Sequence, residues 1–110
     1  MNLSKKSIKA HGQGLEKLSN EQEDEYLKQI NSWSINREKE PHILHKTFQF
    51  SSFKESVNFA NKIAELAEKE NHHPNILIYF KKVILEFKTN HLQCLTDNDF
   101  IMALKVDEII

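Results

Sequence analysis

The residues of this chain best suited to moving protons are the adjacent pair His72-His73, followed by Pro74. Imidazole has an unperturbed pKa of about 6.5, so it can give or take a proton near neutrality. Two imidazoles in a row, on a backbone restrained by proline, are able to supply both partners of a proton-transfer step. The competing reading is that they are ordinary surface histidines, and the triplet alone does not separate the two. A metal site is disfavoured. Adjacent residues of an extended segment point opposite ways, and no cysteine or His-x3-His spacing stands nearby. His42 lies in a turn region and is expected to be solvated, while His11 belongs to the N-terminal tail.

Other chemistries lack parts. Gly12 and Gly14 are the only glycines and both sit in the tail, so no glycine-rich loop exists to cradle phosphate. Cys94 lies close to His91, but no orienting third group accompanies them, so Cys94 reads as a structural residue rather than a nucleophile. Glu68 and Glu70 stand at the end of an expected helix, where a carboxylate opposes the helix dipole. A solvated acid is the ordinary reading there, although an acid at an unfavourable position also suits a functional placement.

These residues need elements to hold them, and three capping patterns mark where helices start. Ser19 with Gln22, Ser52 with Glu55 and Thr96 with Asp99 each pair a hydroxyl with an acid or amide three residues on. The first helix should run to about Asn31. The second carries Phe53, Val57, Ala60, Ala64 and Ala67 at helical spacing, widened by Phe59, Ile63 and Leu66. The third is lined by Phe100, Met102, Ala103, Leu104, Val106 and Ile109. Leu44, Phe48 and Phe50 alternate with His45, Thr47 and Gln49 as a half-buried strand does, and Ser32 to Ile35 around Trp33 could pair with it. From Ile76 to Thr89 the apolar parity flips at Lys81-Lys82, which calls for a bulge, a sharp bend or a tight break. The expected fold class is α+β: a single layer of antiparallel sheet, about four strands, with three helices packed on one face. His72-His73-Pro74 then falls at a helix-to-strand junction.

At 110 residues the chain holds one domain, expected over residues 19–110 behind a flexible tail of residues 1–18. Lys5, Lys6, Lys9 and Lys17, with no acid before Glu16, give that tail a faint likeness to a transit segment, but it lacks arginine and an apolar face. The formal net charge of −1 offers no basic footprint for nucleic acid, and no apolar run is long enough to span a membrane. A lone cysteine forbids an internal disulfide and fits a reducing compartment, which suggests the cytoplasm, with the nucleus as a further location.

The run Ala67-Glu68-Lys69-Glu70-Asn71-His72-His73-Pro74 resembles the signature of pterin-4a-carbinolamine dehydratases. Tyr79, Lys82, Val83 and Thr89 continue it to Leu95-Thr96-Asp97-Asn98-Asp99-Phe100. Trp33 and Phe48-Gln49-Phe50-Ser51-Ser52-Phe53 also fit the family layout, so the resemblance spans roughly Leu18 to Ile109. It implies a hydro-lyase with no metal or cofactor. Such an enzyme dehydrates 4a-hydroxytetrahydrobiopterin to quinonoid dihydropterin in tetrahydrobiopterin recycling. It also implies His72, His73, His91 and Glu68 as catalytic residues, with Asn71, His72, His73, Pro74, Lys88, Thr89, Asn90 and His91 around the substrate.

The chain departs from the family pattern at three places. Asn71 stands where the family usually has aspartate, and Ile76 where it often has tryptophan. The third family histidine falls on Asn90, with His91 one residue later. Either a local register change brings His91 into the site or Asn90 replaces it, and the first is the reading adopted. The family also implies a homodimer or homotetramer, and the apolar third helix with its Ile109-Ile110 end is compatible with packing between subunits. The alternative function is a non-catalytic interaction module on the same fold, of the kind that serves as a transcriptional cofactor.

Overall fold

Side-chain caps start the helices where the local pattern places them. The computed structural model describes residues 2–10 and 14–110, so His11 and Gly12 lie outside the described residues. Helix α1 spans Asn20–Leu27 behind a reciprocal cap, in which the Gln22 amide N–H donates to Ser19 Oγ and the Ser19 N–H to Gln22 Oε1. It stops short of Asn31 because the Gln29 and Ile30 amides close on Tyr26 O and Leu27 O in a tighter turn. Helix α2 spans Phe53–Glu70, with Ser52 accepting from the Glu55 N–H. The Glu55 carboxylate turns to the Ser51 amide and hydroxyl, which hold it below the usual carboxylate range. Helix α3 spans Asp97–Glu108, and the Thr96 N–H donates to Asp99 Oδ2 at 2.9 Å.

The strands are β1 (Ser34–Asn36), β2 (Ile43–Gln49), β3 (Asn75–Ile78) and β4 (Lys82–Phe87), in the order β1-β2-β4-β3 with every pair antiparallel. The parity flip resolves as a tight hairpin. The Tyr79 N–H donates to Lys82 O at 2.8 Å, which lets Ile76 face Leu85 and Ile78 face Val83. Leu44, Phe48, Val83, Leu85 and Phe87 line one face of the sheet and are buried, while Thr47 and Gln49 on the other are exposed. Alternation of this kind is expected when helices cover one side only.

On α2 the buried stripe is Ser56, Phe59, Ala60, Ile63 and Ala67, so Phe53 and Ala64 lie outside it and are exposed. The large rings decide the facing: Phe59 packs on Phe48 at 4.7 Å between centroids and on Phe50 at 5.1 Å. The apolar side chains of α3 are spent within the chain. Phe100, Met102, Ala103 and Val106 are fully buried, with Phe100 against Tyr26. Burial, then the Asp97 carboxylate, pushes the Tyr26 phenol above its usual range.

One polar residue sits differently from the sequence expectation. His42 is mostly buried rather than solvated, because Nδ1 meets the buried Glu23 carboxylate and Nε2 meets Glu40. Lys46, on the core parity of β2, lies along the Trp33 and Phe48 rings and carries its ammonium to Asp107 at 2.9 Å. The first residues also touch the domain. Leu3 is buried, its N–H donates to Gln29 Oε1 at 2.8 Å, and a 3-10 turn over Leu3–Lys5 packs against α3.

Candidate active site

The end of α2 decides which way the histidines face. Asn71 adopts the left-handed conformation (φ +55°, ψ +42°), and the His72 N–H closes back on Ala67 O at 3.2 Å. That is a Schellman-type stop, for which asparagine is a common substitute for glycine. The chain leaves it extended toward Pro74, so consecutive side chains diverge. His72 goes in and is buried; His73 goes out and is exposed.

His72 stacks on Phe87, with ring centroids 6.1 Å apart and planes 9° apart. Its Nε2 lies 2.7 Å from Asp99 Oδ1. With Nε2–H donating to that carboxylate, the neutral ring keeps its lone pair on Nδ1. Asp99 is fully buried, and its Oδ2 accepts from the Thr96 N–H at 2.9 Å and from Thr89 Oγ1 at 2.8 Å. Thr89 Oγ1 also shares a hydrogen bond with Thr96 Oγ1 at 2.7 Å. A carboxylate held at both oxygens cannot swing, so it fixes the orientation of the imidazole, as the acid does in other carboxylate–histidine pairs.

His73 Nε2 forms a short contact with Glu68 Oε2, five residues back on α2. Glu68 therefore pairs with the outward histidine. Glu70 instead reaches Lys105 of α3 at 3.6 Å.

His91 lies in a turn rather than on a strand. The Leu92 and Gln93 amides both donate to Thr89 O, the Thr89 amide donates to Cys94 O, and Gln93 takes φ +52°. Burial alternates as far as Thr89 and Asn90 and the turn takes over beyond them, so the turn and not strand parity places His91. His91 and His72 line one cavity of about 300 Å³, walled by Lys69, Glu70 and Asn71 on one side and by Asn98 and Ile8-Lys9-Ala10 on others. This is at the small end of ligand pockets. Asn90 is exposed in the turn, and its carbonyl accepts from Gln93 Nε2.

Of the site residues expected from sequence, the structure brings His72, Asn71 and His91 to this cavity. His73, Glu68, Pro74, Lys88 and Asn90 are not among its lining. Thr89 is buried with its hydroxyl committed to Asp99 and Thr96. Among the described residues no three His, Cys, Asp or Glu side chains gather as a metal site, and no helix is long and apolar enough to cross a membrane. Sequence reasoning missed Asp99 as the partner of His72, having read it as a helix-capping acid. The Thr96-to-Asp99 spacing signals the cap and cannot signal the second use.

The family model described as Pterin 4 alpha carbinolamine dehydratase matches residues 16–109. A Sulfurisphaera tokodaii protein carrying the provisional name pterin-4-alpha-carbinolamine dehydratase is 38% identical over 87% of this chain and 99% of its own length. A Chlorobium luteolum protein with the same provisional name is 37% identical over 97% of this chain and 94% of its own. Among solved structures, a transcriptional coactivator/pterin dehydratase from Brucella melitensis superposes with a TM-score of 0.78 at 26% identity, covering 86% of this chain and 98% of that one. A pterin dehydratase-like protein described as a RuBisCO assembly factor of the alpha-carboxysome gives a TM-score of 0.59 at 26% identity, over 72% of this chain and 89% of its own.

Proposed function

This chain belongs to the pterin 4 alpha carbinolamine dehydratase family, and from that premise we propose that it dehydrates 4a-hydroxytetrahydrobiopterin to quinonoid dihydropterin in tetrahydrobiopterin recycling. The observation that carries this reading is the cavity shared by His72 and His91, with His72 backed by the buried Asp99. In the reaction the bond from the ring carbon to its hydroxyl breaks, and the hydroxyl leaves as water after taking a proton. The neighbouring ring nitrogen loses its proton, and the N–H electron pair becomes the new C=N bond. Two groups able to give and take a proton at one cavity meet that need, and positioned acid–base help is typically worth about 10²–10⁴-fold. His72, oriented by Asp99, and His91 are the assigned pair.

His73, exposed beside Glu68, is assigned to holding the substrate at the outer side of the junction. The buried Cys94 suits a reducing compartment such as the cytoplasm. A homodimer or homotetramer is the expected form. Its support is Ile78, Tyr79 and Phe80, exposed at the β3–β4 hairpin on the sheet's edge, and Ile109-Ile110 beyond α3.

The test is dehydration of freshly generated carbinolamine by the purified chain. Clear acceleration over the spontaneous reaction is expected, and none would reject the reading. A second reading, a non-catalytic interaction module, is favoured by the coactivator and assembly-factor roles of the two structural neighbours. A folded chain without turnover would support it.

A further inference from the structure

The first turn of α3 ties two separate segments, the N-terminal residues and the end of α2, through three consecutive residues. Asp97 takes the Lys6 ammonium at 3.3 Å, and Asp99 holds His72. Between them Asn98, only 2% exposed, makes a two-way bond with a backbone peptide: Lys9 N–H donates to Asn98 Oδ1 at 2.9 Å, and Asn98 Nδ2 donates to Lys9 O at 2.9 Å. Both hydrogen-bonding functions of a buried amide are therefore spent on one residue of the N-terminal segment. That residue and its two neighbours, Ile8 and Ala10, line the same cavity as His72 and His91. Leu3 anchors the segment further back in the core. The family match begins at residue 16 and does not account for this wall.

We propose that Ile8-Lys9-Ala10, clamped to α3 by Asn98, is a built wall of the His72–His91 cavity and sets how tightly a planar heterocyclic ligand is held there. The proposal rests on the dehydratase reading for the identity of that ligand. A carboxylate and an amide on adjacent residues of one helical turn thus hold the two sides of the cavity, the imidazole and the N-terminal strap. Ile8 is partly buried against the core and gives the strap an apolar footing. Asn98 positions the strap and also lines the cavity itself, so the strap's own contribution is read from Lys9→Pro, which leaves the Asn98 side chain in place.

The experiment compares the full chain with Asn98→Ala and with Lys9→Pro, which removes the strap's N–H donor without altering α3. Four quantities are read: exchange of the Lys9 or neighbouring amides without ligand, the Kd for a 7,8-dihydropterin, and KM and kcat for the carbinolamine. In the unsubstituted chain the Lys9 amide is expected to be protected. In both variants Kd and KM rise roughly tenfold, as loss of about one to two hydrogen bonds' worth of ordering implies, while kcat falls less than about threefold. Exchange at Ile8 and Ala10 quickens alongside. Unchanged Kd and KM in variants whose strap exchanges freely would overturn the proposal, as would an unprotected Lys9 amide in the parent chain. A parent chain that neither binds the dihydropterin nor dehydrates the carbinolamine would sink the functional reading and the proposal that rests on it. Intact binding in the parent with no change in the variants sinks the proposal alone.

Discussion

Asp99 receives hydrogen bonds from His72, the Thr96 amide and the Thr89 hydroxyl, so replacing it with asparagine separates orientation of the imidazole from mere filling of space. An amide there either turns its NH2 group to His72, whose Nε2 must then accept and whose proton moves to Nδ1, or points it at the Thr96 N–H and leaves a donor facing a donor. Loosening His72 is expected to lower kcat by about 10²-fold, the lower end of what positioned acid–base groups supply. The buried mismatch should also remove about 1–3 kcal/mol of stability, readable by denaturant unfolding. His73 behaves differently because it stands outside the cavity. His73→Ala is expected to raise KM more than it lowers kcat, and the reverse split in steady-state kinetics would place His73 in the proton transfers. Cys94 gives a pH-dependent check. Burial, then the Asp99 carboxylate, pushes its thiol up, so alkylation at pH 8 should be slower in the folded chain than in the unfolded one. The raised thiol means the folded state holds that proton more firmly. Its contribution to stability is full below about pH 8.5 and fades as pH rises further.

At the scale of elements, what was legible in the sequence is what local chemistry controls. Ser19, Ser52 and Thr96 mark helix starts because a cap is settled within four residues, and all three helices begin there. The flip at Lys81-Lys82 became a hairpin because one sheet face must stay apolar. The facing of α2 was not legible: Phe53, Ala64 and Phe59 are all apolar, and only contact with Phe48 and Phe50 selects among them. His91 was open for the same reason, since the turn that carries it depends on the bridge between Thr89 and Cys94. The stop of α2 makes a prediction at this scale. Asn71→Gly should be tolerated, whereas Asn71→Val, forced into the left-handed region, should cost about 1–2 kcal/mol in thermal unfolding and disorder the approach to His72.

For the molecule as a whole, the N-terminal segment shows how little a sequence says about docking. Residues 2–10 carry few apolar side chains, yet Leu3 is buried and Asn98 clamps Lys9 from a distance of 89 residues. Neither contact leaves a periodic trace. Most apolar side chains of α3 are used within the chain, and exposed apolar groups stand both on the β3–β4 hairpin and at Ile109-Ile110 beyond α3. Sedimentation should therefore report an oligomer that Phe80→Lys, on the exposed hairpin, weakens. A monomer at micromolar concentration would contradict that. The central claim is that His72 and His91 act across one cavity as the proton-transfer pair. Its most direct test is the dehydration rate of His72→Ala, His91→Ala and the double variant, each checked for native folding. Loss of about 10²-fold or more in kcat for each single variant is expected, with the double variant reduced to near the spontaneous rate. Rates within threefold of the parent for either single variant would contradict it.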